Sequence, residues 1–186
     1  KINEVADITG LPEHIFRYDK LESYGDANYL KGGIVYADKV TTVSPTYANE
    51  ILDPWFSHGL DPILNQRSWK LQGILNGIGY DMYNPETDKN IIKNYDVKTV
   101  KKGKAENKKD LQAALGLPQR ADVPVIGLVT RLVSHKGLDL IKGILDELLA
   151  TTDVQFVVLG SGDWQYENFF REMADKYPDK IAVRIG

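Results

Sequence analysis

Val125-Ile126-Gly127-Leu128-Val129-Thr130-Arg131-Leu132-Val133-Ser134-His135-Lys136-Gly137-Leu138-Asp139-Leu140 is the stretch on which the reading of this chain turns. The apolar run Val125–Val129 reads as a buried strand and Thr130–Gly137 as a short polar loop. Leu138, Ile141, Leu145 and Leu148 then recur at the spacing of an amphipathic helix. In open α/β sheets ligands sit outside the carboxyl ends of the strands, so Arg131 and Lys136, five residues apart, project where a ligand would bind. Two cations beside a helix start, with its free N–H donors and partial positive charge, suit an anion and phosphate above all. The bland alternative is a solvated charged loop. No GxxxxGK[ST] string occurs, so such a phosphate would be held without a P-loop.

Downstream, Val154–Leu159 is a second continuous apolar run, and it ends in Gly160-Ser161-Gly162-Asp163. Strand, helix and strand at this spacing make a βαβ unit with a parallel sheet. Gln165 stands where the third glycine of GxGxxG belongs, which argues against a dinucleotide fingerprint. The glycines fit a backbone that must approach a flat ring or ribose closely, or simply a turn before a helix capped by Asp163. Tyr166, Phe169, Phe170, Met173 and Tyr177 keep helical spacing on one face and read as core.

Upstream, residues 1–24 are mixed in pattern, with Leu11–Asp19 a loop or single helical turn. Asp26 is expected to cap a helix running through Ala37, with Leu30, Ile34 and Ala37 on one face. Lys39–Val43 is a short β-rich run, and Ser44-Pro45 supplies an N-cap with proline in the first helical position, opening a helix to about Leu52. Asp61-Pro62 repeats the device within Pro54–Arg67, and Trp55 and Trp69 read as packing residues. Leu71–Leu75 is a buried strand ending at Asn76-Gly77, itself a common turn dipeptide. Glu86–Asn107 is polar, lysine-rich and without periodicity, a linker; its cluster Lys98–Lys109 reads as a solvated face. Asn107 is expected to cap a helix with apolar Leu111, Ala114 and Leu115, which Gly116 and Pro118 stop.

Composition narrows the class. In 186 residues, 42% are hydrophobic and 26% charged, as in ordinary globular proteins, and the net charge of −3 disfavours nucleic acid as a partner. There is no cysteine, hence no disulfide, thiolate nucleophile or sulfur-based zinc site, and a reducing cytoplasm fits. His14, His58 and His135 do not stand at metal-ligand spacing from one another, and no metal is expected. No apolar stretch approaches the length of a membrane span, and the opening KINEVADITG holds no signal-peptide core. Lys1 is not a start methionine and the chain stops within what reads as another strand, so it is expected to be an excised piece of a longer protein.

The segment Arg131-Leu132-x-x-x-Lys136-Gly137-Leu138-Asp139-Leu140 resembles the arginine–lysine segment of the bacterial glycogen synthases and plant starch synthases, retaining glycosyltransferases of the two-domain GT-B architecture. The words Val43-Ser44-Pro45-Thr46-Tyr47-Ala48-x-Glu50-Ile51, Gly73-Ile74-Leu75-Asn76-Gly77-Ile78-x-Tyr80-Asp81-x-x-Asn84-Pro85 and Lys104-x-x-Asn107-Lys108-x-x-Leu111-Gln112 are similar to family segments in the same order. The family usually has aspartate where Gly79 stands, and more often glutamine where His135 stands. The resemblance implies an α/β fold of Rossmann-like parallel sheets spanning the domain junction. Residues 1–78 would be the later part of the first, acceptor-side domain, 79–106 the hinge or linker, and 107–186 the start of the second, nucleotide-sugar-binding domain.

It also implies roles. Arg131 and Lys136 would hold the donor diphosphate and stabilise the leaving group; Asn76 would lie beside the donor sugar; the Gly160-Ser161-Gly162 loop would pack against the nucleoside. Tyr24, Asn28 and Lys31, within Tyr24-Gly25-x-x-Asn28-x-Leu30-Lys31-x-Gly33, would sit by the sugar sites, unless they belong to a plain surface helix. The implied reaction moves glucose from ADP-glucose or UDP-glucose to the non-reducing end of an α-1,4-glucan, without a cofactor, nucleic acid or membrane, in the cytoplasm or in a plastid if the source is a plant. The family's glycine-rich segment near the amino terminus and its acidic ExFG segment are not found in these residues, so the piece alone is expected to be inactive. Two rivals remain: another retaining GT-B transferase with a different donor or acceptor, and a non-catalytic nucleotide-binding module.

Overall fold

Parallel strands followed by helices organise the chain, which divides into two units, Lys1–Ile78 and Gly79–Gly186, in a computed structural model describing all 186 residues. The α/β class with parallel sheets is as expected.

In the first unit, helix α1 (Ile2–Thr9) and a 3₁₀ turn (Glu13–Ile15) lead to a hairpin of β1 (Glu22–Ser23) and β2 (Asp26–Ala27). Helix α2 (Tyr29–Tyr36) starts later than expected. Its cap is Asn28, whose Oδ1 accepts from the Lys31 N–H at 3.0 Å, while Asp26 is held in the hairpin and pairs with Lys1 Nζ at 2.9 Å. Strand β3 (Val40–Thr42) runs into α3 (Pro45–Glu50), where Ser44 Oγ accepts from the Tyr47 N–H as its position before proline predicts. Helix α4 (Pro54–Ser57) has the second such device, at Asp53-Pro54; Asp61 is instead the first residue of α5 (Asp61–Gln66) and accepts from Ser57 Oγ at 2.7 Å. Strand β4 (Leu71–Gly73) lies parallel to β3 and is shorter than expected, with Ile74 and Leu75 exposed beyond it. Ile34, Ile63 and Leu64 form the small core. Trp55 and Trp69, 85% and 73% exposed, lie outside it, contrary to the packing role expected of them.

In the second unit an irregular stretch leads to helix α6 (Val100–Ala114), which begins inside the expected linker. Asn107 is therefore mid-helix, and instead of capping it clasps the preceding loop: its Nδ2 donates to Lys93 O at 2.7 Å and its Oδ1 accepts from Lys93 N at 3.1 Å. Leu111 and Ala114 are exposed, and the face α6 turns inward carries Gln112. Then follow β5 (Val125–Val129), α7 (Leu138–Thr151), β6 (Gln155–Leu159), α8 (Trp164–Lys176) and β7 (Ile181–Arg184), with the parallel order β5-β6-β7. Leu138, Leu145 and Leu149 of α7, Phe156 and Val158 of β6, and Tyr166, Phe170 and Met173 of α8 are buried together, confirming both apolar stripes. Among these residues β5 is paired on one side, by β6, and Ile126 and Val129 are exposed, whereas β6 is paired on both sides and buried.

Four lysines serve this fold by closing backbone ends. Lys70 Nζ donates to Val35 O at 2.9 Å and Ala37 O at 2.6 Å, at the end of α2, and Lys180 Nζ to Leu149 O at 2.7 Å and Thr152 O at 2.8 Å, at the end of α7. Carbonyls in a helix's last turn have no intrahelical partner, and an ammonium there also meets the negative end of the dipole. Lys31 holds Tyr18 O and Glu22 O, and Lys108 holds Ala121 O and Val123 O. Lys108 thus departs from the solvated face expected of Lys98–Lys109.

Candidate functional site

The carboxyl ends of β5 and β6 run out side by side. Thr130 N donates to Leu159 O at 3.2 Å, Leu132 N to Ser161 O at 2.8 Å, and Asp163 N back to Leu132 O at 2.8 Å, with Leu132 and Gly162 bridged in parallel. Two loops that the sequence treats separately are therefore one structure. Its glycines are required by that closeness: a Cβ on Gly160 would overlap the Thr130 carbonyl oxygen, and one on Gly162 the Leu132 carbonyl oxygen. The sequence reading left these glycines to an approaching ligand or to a simple turn. Their first duty is to the neighbouring backbone.

Arg131 stands at the rim of an open hollow of ≈330 Å³ walled by Val129, Thr130, Leu159, Gly160 and Ser161. The structure thus brings Arg131 together with the glycine loop. Lys136 closes the 3₁₀ turn Ser134–Lys136, and Gly137, in the left-handed conformation at φ 70°, passes the chain into α7. Arg131 and Lys136 are exposed and neither is paired with a carboxylate, so both charges are available to an anion. Arg131 Nη2 lies 3.3 Å from His135 Nε2.

Glu167 was not singled out in the sequence. Its Oε1 accepts from the Gly162 N–H at 2.9 Å and its Oε2 from Arg171 Nη2 at 3.1 Å, so it ties the glycine loop to α8. The Gly162 amide, with the Arg171 guanidinium assisting, holds its carboxyl below the ordinary value of 4.5. Asp163 occupies the N-cap position but makes no side-chain cap bond. An acid in the first turn of a helix that follows a glycine loop is the signal that could have found Glu167.

The other expected residues belong to the first unit. Asn76 is exposed in an extended segment after β4, and Gly77 is not among the glycines with positive φ, so the tight-turn alternative does not describe it. Asn28 is occupied as the α2 cap. Lys31, 7% exposed, has its ammonium on two carbonyls and over the Tyr18 ring at 4.6 Å; with Tyr24 it lines a separate cavity of ≈240 Å³.

A parallel α/β unit with a glycine loop zipped to a cation-bearing loop at its strand ends has the form of a nucleotide-binding domain. Comparison with known proteins makes the class specific. A family model described as the starch synthase catalytic domain matches residues 2–66. The glycogen synthase of Lachnospira eligens is 55% identical over 184 residues, 99% of this chain and 38% of that protein. That of Thermotoga maritima is 51% identical over 176 residues, 95% of this chain and 36% of that protein. The catalytic domain of starch synthase IV from Arabidopsis thaliana, bound to ADP and acarbose, superposes with a TM-score of 0.84 at 37% identity, covering 95% of this chain and 36% of that one. The chain belongs to the glycogen and starch synthase family of GT-B glycosyltransferases, and it spans a little over a third of the length of the curated relatives it matches.

Proposed function

We propose that the full-length protein transfers glucose from a nucleoside-diphosphate glucose to the non-reducing end of an α-1,4-glucan with retention, in the bacterial cytoplasm. The observation that carries this is the 55% identity to a glycogen synthase over 99% of the chain. ADP-glucose is the favoured donor, in keeping with the ADP held by the starch synthase IV domain. UDP-glucose is the other candidate.

Arg131 and Lys136 have the chemistry for the donor's diphosphate. As the bond from glucose to phosphate breaks, negative charge grows on the leaving nucleoside diphosphate, and cations already in place lower the barrier most where that charge develops. The open hollow beside Gly160 and Ser161 is the place proposed for the nucleoside. Asn76 is assigned to the donor sugar.

The test is glucan elongation by the purified full-length protein, followed by ADP or UDP release and by NMR of the new linkage. Elongation with α-1,4 linkages is expected from ADP-glucose. Failure with both donors would refute the assignment.

A further inference from the structure

Asparagine is a labile side chain, and its lifetime depends on the residue that follows it and on the backbone that holds it. The nitrogen of the following residue can attack the side-chain carbonyl carbon wherever that nitrogen is free and unobstructed. Asn76 alone among the asparagines is followed by glycine, so no Cβ crowds the Gly77 nitrogen. The fold leaves that nitrogen free as well. Asn76 and Gly77 are exposed and lie outside every helix and strand. The last backbone hydrogen bond before them runs from Ile74 N to Thr42 O at 2.8 Å, and the next N–H to donate within the chain is that of Met82, to Gly79 O at 3.1 Å. Their neighbours Leu75 and Ile78 are 71% and 68% exposed, so no packing resists rotation of the pair.

The other asparagines are each protected. Those of α1, α3, α5, α6 and α8 sit where helical backbone fixes the following nitrogen. Asn28 caps α2 with its Oδ1 engaged. Asn84 precedes Pro85, which has no N–H to lose. Asn90 is followed by the β-branched Ile91, and the N–H after Asn94, that of Tyr95, is held on Pro85 O at 3.1 Å.

We propose that Asn76-Gly77 is a site of spontaneous covalent modification, at which Asn76 deamidates to aspartate and isoaspartate. The Gly77 nitrogen bonds to Asn76 Cγ and its proton passes to the side-chain amide nitrogen, which leaves as ammonia. A cyclic imide remains. Water then opens the ring at either carbonyl: attack at Cγ gives aspartate, and attack at the main-chain carbonyl gives isoaspartate, with the chain rerouted through the side chain. The sequence of steps needs only water. Either product carries a carboxylate, and beside a donor whose diphosphate is already negative that charge is repulsive. This consequence for activity rests on Asn76 meeting the donor sugar, as proposed above; the modification itself does not.

The test incubates the full-length protein at mildly alkaline pH, with and without ADP-glucose, and follows the peptide that holds Asn76 by mass spectrometry after chromatography that separates aspartate from isoaspartate. That peptide should change from amide to acid several-fold faster than the one holding Asn94, and isoaspartate should appear. A Cβ on Gly77 would meet nothing within 4 Å, and its φ is not positive, so Gly77→Ala should melt no lower than the wild type while deamidating several-fold more slowly. Glucan elongation by the wild type should decline in step with the modified fraction, and ADP-glucose should slow both changes. An Asn76 that stays intact, or is lost no faster than Asn94, overturns the proposal, as does an unchanged rate in Gly77→Ala. Rapid deamidation with undiminished elongation keeps the modification site and retires Asn76 as a donor contact, so the two readings fail separately.

Discussion

Arg131 Nη2 lies 3.3 Å from His135 Nε2, so the guanidinium expected to meet the donor diphosphate rests against a ring from its own loop. Arginine has no acceptor, hence the contact requires the histidine tautomer whose Nε2 carries the lone pair. In the full-length protein Arg131→Ala and Lys136→Ala should each lower turnover by about 10²–10³, the usual cost of removing one preorganised donor from developing charge. Affinity for glucan should hardly change. Arg131→Lys should rescue in part, since lysine keeps the charge without the planar fork. The double variant should fall short of the product of the singles, because both serve one group. His135→Leu should cost about ten- to a hundredfold, the equivalent of one hydrogen bond from a charged donor, about 1.5–3 kcal/mol. Full activity in either alanine variant would mark an ordinary charged loop.

Asn76→Ala in the full-length protein should lower turnover and leave stability within about 0.5 kcal/mol, as for exposed positions free of special backbone geometry. Denaturation by urea separates the two effects. Normal activity per folded molecule would remove Asn76 from the donor site.

Glu167 makes a prediction about pH. Its folded value is depressed by the Gly162 amide, so its contribution to stability is present above the unfolded value and is lost as pH falls through the folded one, below the ordinary 4.5. Stability measured against pH should therefore drop less steeply in acid for Glu167→Gln than for the wild type. Glu167→Ala also frees the glycine loop and should raise KM for the donor at neutral pH.

Gln112 Nε2 donates to Gln155 Oε1 at 2.7 Å, both residues being 2% exposed, and Gln155 Nε2 donates onward to Pro118 O at 2.8 Å. Removing one partner leaves a buried amide group unsatisfied, which costs about 1–3 kcal/mol. Gln112→Ala and Gln155→Ala should each lower the melting temperature, and their effects should be coupled in a double-mutant cycle. Additivity would show that the pair does not act as a unit.

Local pattern by itself determined much of this protein. The spacing of Leu138, Ile141 and Leu145, the stripe Tyr166–Tyr177 and the Ser44-Pro45 cap each describe a conformation set within a few residues, and each is found as read. The words around Arg131 and Asn76 were enough for the family. Tertiary structure decided what depends on distant partners. An apolar run does not say which strands will flank it, as β5 and β7 flank β6. A lysine's sequence neighbours do not reveal that Lys70 will close a helix more than thirty residues earlier, or that Gln112 will find Gln155 across 43 positions. Gly160 and Gly162 were legible as a loop, but their reason, the backbone of Thr130–Leu132 pressed against them, exists only once two strands lie side by side. Hydrophobic periodicity and capping act through short-range sterics and hydrogen bonds, whereas buried polar partners are chosen by whatever the folded chain brings within about 3 Å.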